Sequence, residues 1–152
     1  MNKEQFYQDF LAIRNMNSPT NKKVRMLGEM LGSYENFWQI TGITLEALKK
    51  FQENDFKRKS RMGINRSHKV DRHKTYTTML EGPIMDCDTW WKFYTENDKT
   101  VLATSSENNT NVFSKIFPIK KQDNLFKSTG FAWRHSLQEQ NVLKNIAEKE
   151  GI

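Results

Sequence analysis

Eight cations stand between Lys57 and Lys74: Lys57, Arg58, Lys59, Arg61, Arg66, Lys69, Arg72 and Lys74. Asp71 is the one acid among them, so the window carries +7, while the whole chain carries +6. The remaining residues together are therefore close to neutral. A charge excess confined in this way is the footprint of a surface that grips a polyanion, because Lys and Arg meet phosphate oxygens and release condensed counterions. The same run also suits a solvated loop, and a membrane or an acidic protein surface is a third partner for it.

Three other sets of residues invite chemistry. His68, Asp71 and His73 lie close together, as metal ligands or nuclease residues would. The two histidines are five apart, which is not one helix face, and the third histidine, His135, is remote. The reading is that they are solvated and assist phosphate contact, with no metal. The acids Glu81, Asp86, Asp88, Glu96, Asp98 and Glu107 lack the pattern of a metal-dependent nuclease, since "FPIKK" has lysines with no acid two places before either. They are expected to cap helices and close turns. No Ser/His/acid order, phosphate-binding glycine loop or dinucleotide fingerprint is present, so no catalytic residue and no cofactor is expected. The aromatic set Trp90, Trp91, Phe93, Tyr94, Phe113, Phe117, Phe126, Phe131 and Trp133 could stack unpaired bases, but its spacing favours the core of a C-terminal module.

Elements must hold these residues in place. Residues 4–16 put Phe6, Phe10, Ile13 and Met16 at helical spacing. Pro19 ends that helix, and a second runs from Asn21 to Leu31 with Val24, Leu27 and Leu31 as its stripe, stopped by Gly32. A third piece, 34–41, leads to Gly42. A fourth helix starts at Thr44, whose hydroxyl can cap it, and runs to about Phe56 with Glu46 in its first turn. The basic window then reads as a linker or long arm. "TYTTMLEG" reads as a strand and "DCDTWWKFYTEN" as a short helix capped by Asp88. "KTVLATSS" and "VFSKIFPIK" read as strands paired in a hairpin across "ENNTN". "GFAWRH" is a short strand or a helix entry, and 136–149 is a closing amphipathic helix.

The stretch "YENFWQITGITLEALKKF" resembles the helix-turn-helix DNA-binding family over Tyr34–Glu53. Gly42, Ile43 and Thr44 match its turn, Phe37 and Ile40 the packing residues of its first helix, and Leu48 and Phe51 those of its second. Trp38 stands where that family has a small residue. The resemblance implies a second helix that offers Thr44, Glu46, Lys49, Lys50 and Glu53 to the major groove. "GFAWRH" (130–135) is similar to pieces of the DNA-binding modules attached to phage homing endonucleases.

The chain has 152 residues, 36% of them hydrophobic, with 18 aromatic side chains and a mean hydropathy of −0.81. That supports a folded protein with a wet surface. No segment reaches a membrane span, the first residues carry no leader pattern, and Cys87 is the only cysteine, so the cytoplasm is the expected compartment. Lys outnumbers Arg by 17 to 7 and Asn is frequent, a coding bias that fits a phage or low-GC bacterium.

The expected fold is α+β: a helical module with a helix-turn-helix-like hairpin at 1–56, a basic connector at 57–74, and a small α+β module at 75–152 with a short antiparallel sheet and a closing helix. The expected function is non-catalytic DNA binding by a phage or bacterial regulator, through Thr44, Lys49, Lys50 and the eight cations of the window, with DNA preferred to RNA. A protein partner would meet the C-terminal module. The alternatives are a small metal-dependent nuclease related to homing endonucleases and a protein that binds and redirects a host protein.

Overall fold

The structure, a computed structural model, describes residues 1–120, 126, 128–129 and 132–152. Its elements in chain order are α1 (Lys3–Asn15), α2 (Thr20–Leu31), β1 (Ile40–Thr44), α3 (Leu45–Gln52), β2 (Ile64–His68), α4 (Arg72–Glu81), α5 (Cys87–Asn97), β3 (Thr100–Thr104), α6 (Ser105–Thr110), β4 (Ile116–Pro118), β5 (Ser128–Thr129), β6 (Ala132–Trp133) and α7 (Leu137–Glu150). The class is α+β, with N-terminal helices and a closing C-terminal helix. Two compact units divide the chain: Met1–Phe37 with His68–Lys99, and Trp38–Ser67 with Thr100–Ile152. Each is discontinuous, so the expected divisions after 56 and after 74 both fall inside a unit.

The first unit is built from α1, α2, α4 and α5. Asn2 and Gln5 form a capping box that starts α1, and its buried residues Phe6, Phe10 and Ile13 follow the helical period. Val24, Leu27 and Leu31 are the buried stripe of α2, and Gly32 is its C-cap. Asp86, rather than the expected Asp88, caps α5 by accepting from the Thr89 amide at 2.9 Å. Aromatic rings fill the interior: Trp90 stacks on Phe10 at 4.9 Å and Trp91 on Phe6 at 5.6 Å.

The expected strand "TYTTMLEG" is instead part of α4. A cap and a buried face outweigh the poor helix propensity of its threonines. Asp71 caps the first turn by accepting from the His73 amide at 2.8 Å. The hydroxyls of Thr75 and Thr78 are satisfied within the helix, donating back to the carbonyls of Asp71 and Lys74 four residues earlier. Thr75, Tyr76, Met79 and Leu80 lie on one buried face. Arg14 then donates to the carbonyls of Met79 and Gly82, both at 2.6 Å, and places a cation at the negative end of α4.

The second unit holds a four-stranded sheet in the order β2-β3-β1-β4. The strands β1 and β3 are parallel, and β1 and β4 antiparallel, with Ile43 opposite Phe117. The expected hairpin between "KTVLATSS" and "VFSKIFPIK" does not form, because β1 lies between β3 and β4. "ENNTN" mostly belongs to α6, with Asn111 left-handed (φ 53°) as its C-cap. The core joins Ile43, Leu48, Phe51, Leu102, Phe117, Trp133 and Leu143 from β1, α3, β3, β4, β6 and α7.

The helix-turn-helix geometry is overturned here. Its first helix and turn are replaced by a loop over 33–39 and by strand β1. Four of the five residues in "ITGIT" are β-branched, which suits a buried pleated surface. Gly42 serves close approach rather than a left-handed turn. A Cβ there would stand 2.8 Å from Ile116 Cγ2 and 3.0 Å from the Phe117 carbonyl oxygen of β4.

Candidate nucleic-acid interface

Two parallel strands, β1 and β3, end in threonines that cap the helices following them. Thr44 Oγ1 accepts from the Ala47 amide and Thr104 Oγ1 from the Glu107 amide, both at 3.2 Å. Glu107 joins the two strand ends. Its carboxylate accepts from the Thr44 hydroxyl at 2.8 Å, from the amide and hydroxyl of Thr104, and from the amide and hydroxyl of Ser114. Burial pushes the Glu107 carboxyl up, but the bonds from Ser114, Thr104 and Thr44 more than offset it and hold it down at about 2. Thr44 is fully buried in this cluster, so the expected contact of its side chain with DNA is not available.

The segment 57–66 runs beside this frame, and it is neither linker nor free arm. Gly63, with φ +65°, has its carbonyl bonded by the Ser105 amide at 2.8 Å. The Asn65 amide nitrogen donates to Ser105 Oγ at 3.3 Å, and β2 pairs with β3. Just before the segment, the Phe56 carbonyl lies 2.9 Å from His135 Nε2, while the His135 ring stacks on Phe51 at 5.4 Å. Burial pulls the His135 pKa down, partly countered by the bond to Phe56.

Two arginines of the segment lie on tryptophans. Arg58 Cζ sits 4.0 Å from the Trp133 ring centroid, and Arg58 Nη1 donates to the Trp133 carbonyl at 3.0 Å. Arg66 Cζ sits 5.0 Å from the Trp38 ring centroid, and Arg66 Nη1 donates to the Trp38 carbonyl at 3.3 Å. Each guanidinium carbon thus lies over a tryptophan ring, and one N–H donates to that tryptophan's carbonyl. Trp38 itself is left-handed, with φ 53°, a conformation that costs a bulky residue roughly 1–2 kcal/mol. The Trp38 carbonyl also accepts from Thr100 Oγ1 at 3.0 Å, which anchors the turn. Arg61 is left-handed too, with φ 60°.

Around these pairs two adjoining clefts open. One, of about 590 Å³, is lined by Arg58, Lys59, Arg61, Asn65 and Trp133 among others. The other, of about 640 Å³, adds Trp38, Arg66 and Asn108 to the shared Arg58, Asn65 and Trp133. No carboxylate lines either cleft among the described residues. Among the described residues, the charged side chains of these walls are Arg58, Lys59, Arg61 and Arg66.

The structure gathers Arg58, Lys59, Arg61 and Arg66 at this site. Lys57 is exposed just before it. Lys49 is exposed and pairs with Glu46 at 3.0 Å, while Lys50 Nζ lies 3.5 Å from the Met62 carbonyl. Lys69, Arg72 and Lys74 belong to the helical unit, where Arg72 Cζ lies 5.9 Å from the Tyr76 ring. His68 Nε2 meets Asp98 Oδ1 at 3.3 Å and its side chain is largely buried rather than solvated as expected, while Asp71 caps α4. Among the described residues no three potential metal ligands come together.

Sequence reasoning missed Trp38, Trp133, Asn65 and Asn108 as site residues. Trp133 belongs to the core, as its spacing predicts, being 6% exposed, and it also carries Arg58 over its ring. The aromatic set divides between the units, with Trp90, Trp91, Phe93 and Tyr94 in the helical one. Phe131 and Gly130 lie outside the described residues, so "GFAWRH" is seen only as β6 and the two residues after it. Among the described residues no helix is long and apolar enough to cross a membrane. Neither a protein-family model, a curated protein nor a solved structure matches the chain.

Proposed function

We propose that the chain is a non-catalytic DNA-binding protein that holds its ligand through the basic segment 57–66 of the sheet unit. One observation carries the reading: four cations, Arg58, Lys59, Arg61 and Arg66, line adjoining clefts whose described walls hold no acid. Phosphate is the anion that this chemistry suits, because guanidinium forks match its oxygens in pairs. The reading replaces a recognition helix with an anchored strap, so affinity comes from backbone contact rather than from base edges in a major groove. It places the protein in the cytoplasm, where the single cysteine, Cys87, remains reduced.

The test is fluorescence anisotropy with a labelled DNA in salt from about 50 to 200 mM, with and without magnesium. Binding should weaken steeply with salt and leave the DNA intact on a denaturing gel. Changing Lys57, Lys59 and Arg61 together to Ala should flatten the salt slope. Cleaved DNA would favour a nuclease, and absence of salt-dependent binding would send the search to a protein partner.

A further inference from the structure

We infer that the ligand of these clefts is single-stranded or unpaired DNA, one of whose bases stacks on the guanidinium plane of Arg58; this rests on the DNA-binding reading above. The first reason is depth. Arg66 is 7% exposed and Trp133 6%, yet both line the clefts. A duplex keeps its bases paired inside and presents its phosphates on a convex surface, so it reaches only the exposed Arg58, Lys59 and Arg61. A strand without a partner can turn a nucleotide inward, and each cleft falls within the roughly 300–1,000 Å³ of sites that enclose small ligands.

The second reason is the layer already built. Arg58 Cζ lies over the Trp133 indole, 4.0 Å from its centroid, and the Trp133 carbonyl holds one N–H. Its other N–H donors have no partner among the described residues. The opposite face of the plane is a platform for a base, since bases stack on arginine planes as they do on rings. With the guanidinium fixed beforehand, little side-chain entropy remains to be lost on binding. Lys59 and Arg61 stand in the same cleft to meet the flanking phosphates, and the amides of Asn65 and Asn108 can bond to a base edge. Left-handed Trp38 and Arg61 at the same site are strained residues of the kind that gather where a binding geometry is held ready.

The experiment compares a short labelled oligonucleotide with its own duplex at equal salt, for the full chain and for Arg58→Lys and Lys57→Ala. The single strand should bind at least about tenfold more tightly than the duplex. Arg58→Lys keeps the charge but removes the plane, so it should erase most of that advantage by weakening the single strand far more than the duplex. Lys57→Ala, outside the cleft walls, should weaken both ligands alike. Duplex bound as tightly as the single strand, or a preference untouched by Arg58→Lys, would overturn the inference while DNA binding itself stood. If neither probe bound in a salt-dependent way, the functional reading would fall, and this inference with it.

Discussion

The two compact units use similar residues to opposite ends. The helical unit contains 10 basic and 10 acidic residues, and the sheet unit 14 basic and 8 acidic, so the entire +6 of the chain belongs to the sheet unit. In the helical unit tryptophans are filler. Trp90 is fully buried and lies against Phe10 and Tyr7, while Trp91 stacks on Phe6. In the sheet unit Trp38 and Trp133 each lie under an arginine. The ring type is the same, but a neutral aromatic environment makes it a source of burial, and a basic neighbour makes it a mount for a cation. Local charge, rather than the presence of tryptophan, separates a ring that only fills the core from one that also carries a cation.

The largest expected effect should fall on the helical unit alone. Trp90→Ala leaves a cavity among Phe10, Tyr7 and Tyr94 and should cost about 3–5 kcal/mol in urea unfolding. DNA affinity per folded molecule should be unchanged. A loss of affinity at full folding would break the separation of roles.

Acid should act on the sheet unit. Folding lowers the Glu107 carboxyl from its ordinary 4.5 to about 2. The stabilisation is therefore complete above pH 4.5 and fades as pH falls through about 2, and it is on the order of 3 kcal/mol if no other group titrates with it. Glu107→Gln should remove most of that pH dependence, read from denaturation midpoints between pH 5 and pH 2. An unaltered acid profile in the variant would show that the carboxylate cluster does not tie β1 to β3.

Gly42 sharpens the same unit. Gly42→Ala should cost about 1–3 kcal/mol, because the new methyl meets a backbone oxygen of β4. Gly42→Asn should be worse, since the larger side chain meets the same obstacle. A left-handed helix-turn-helix glycine would behave the other way, with Asn the better tolerated. The smallest stability effect belongs to the cations. Lys57, Lys59 and Arg61 to Ala should change unfolding by within about 0.5 kcal/mol, as exposed side chains do. The same triple variant should lower the salt slope of DNA binding by about three.

Much of the helical framework is legible in the sequence. The stripes of α1, α2 and α5 repeat at helical spacing, and Gly32 and Thr44 sit where caps are needed. Val142, Leu143 and Ile146 mark α7 in the same way, although Leu137 in its first turn is 69% exposed. The errors have one physical source, the dependence of a short segment on distant partners. Phe37 and Ile40 are spaced like a helix face, but β3 and β4 supply the hydrogen bonds that make 40–44 a strand. "TYTTML" has strand-type residues, but the buried face of α4 decides for helix. The basic window is plain as composition, yet its cations divide between the two units.

The sequence alone determined that the chain would be α+β, that α1, α2, α3, α5 and α7 would lie near these residues, and that its positive charge would concentrate between Lys57 and Lys74. Those properties depend on local periodicity, capping and side-chain type, which act over a few residues. Only the tertiary structure decided that 40–44 would be an inner strand and that Thr44 would be buried against Glu107. It alone set Arg58 on Trp133, 75 residues away, and Arg66 on Trp38, 28 residues away. Strand pairing and cation–ring contact are made between segments remote in the chain, so no local pattern specifies which arginine meets which ring.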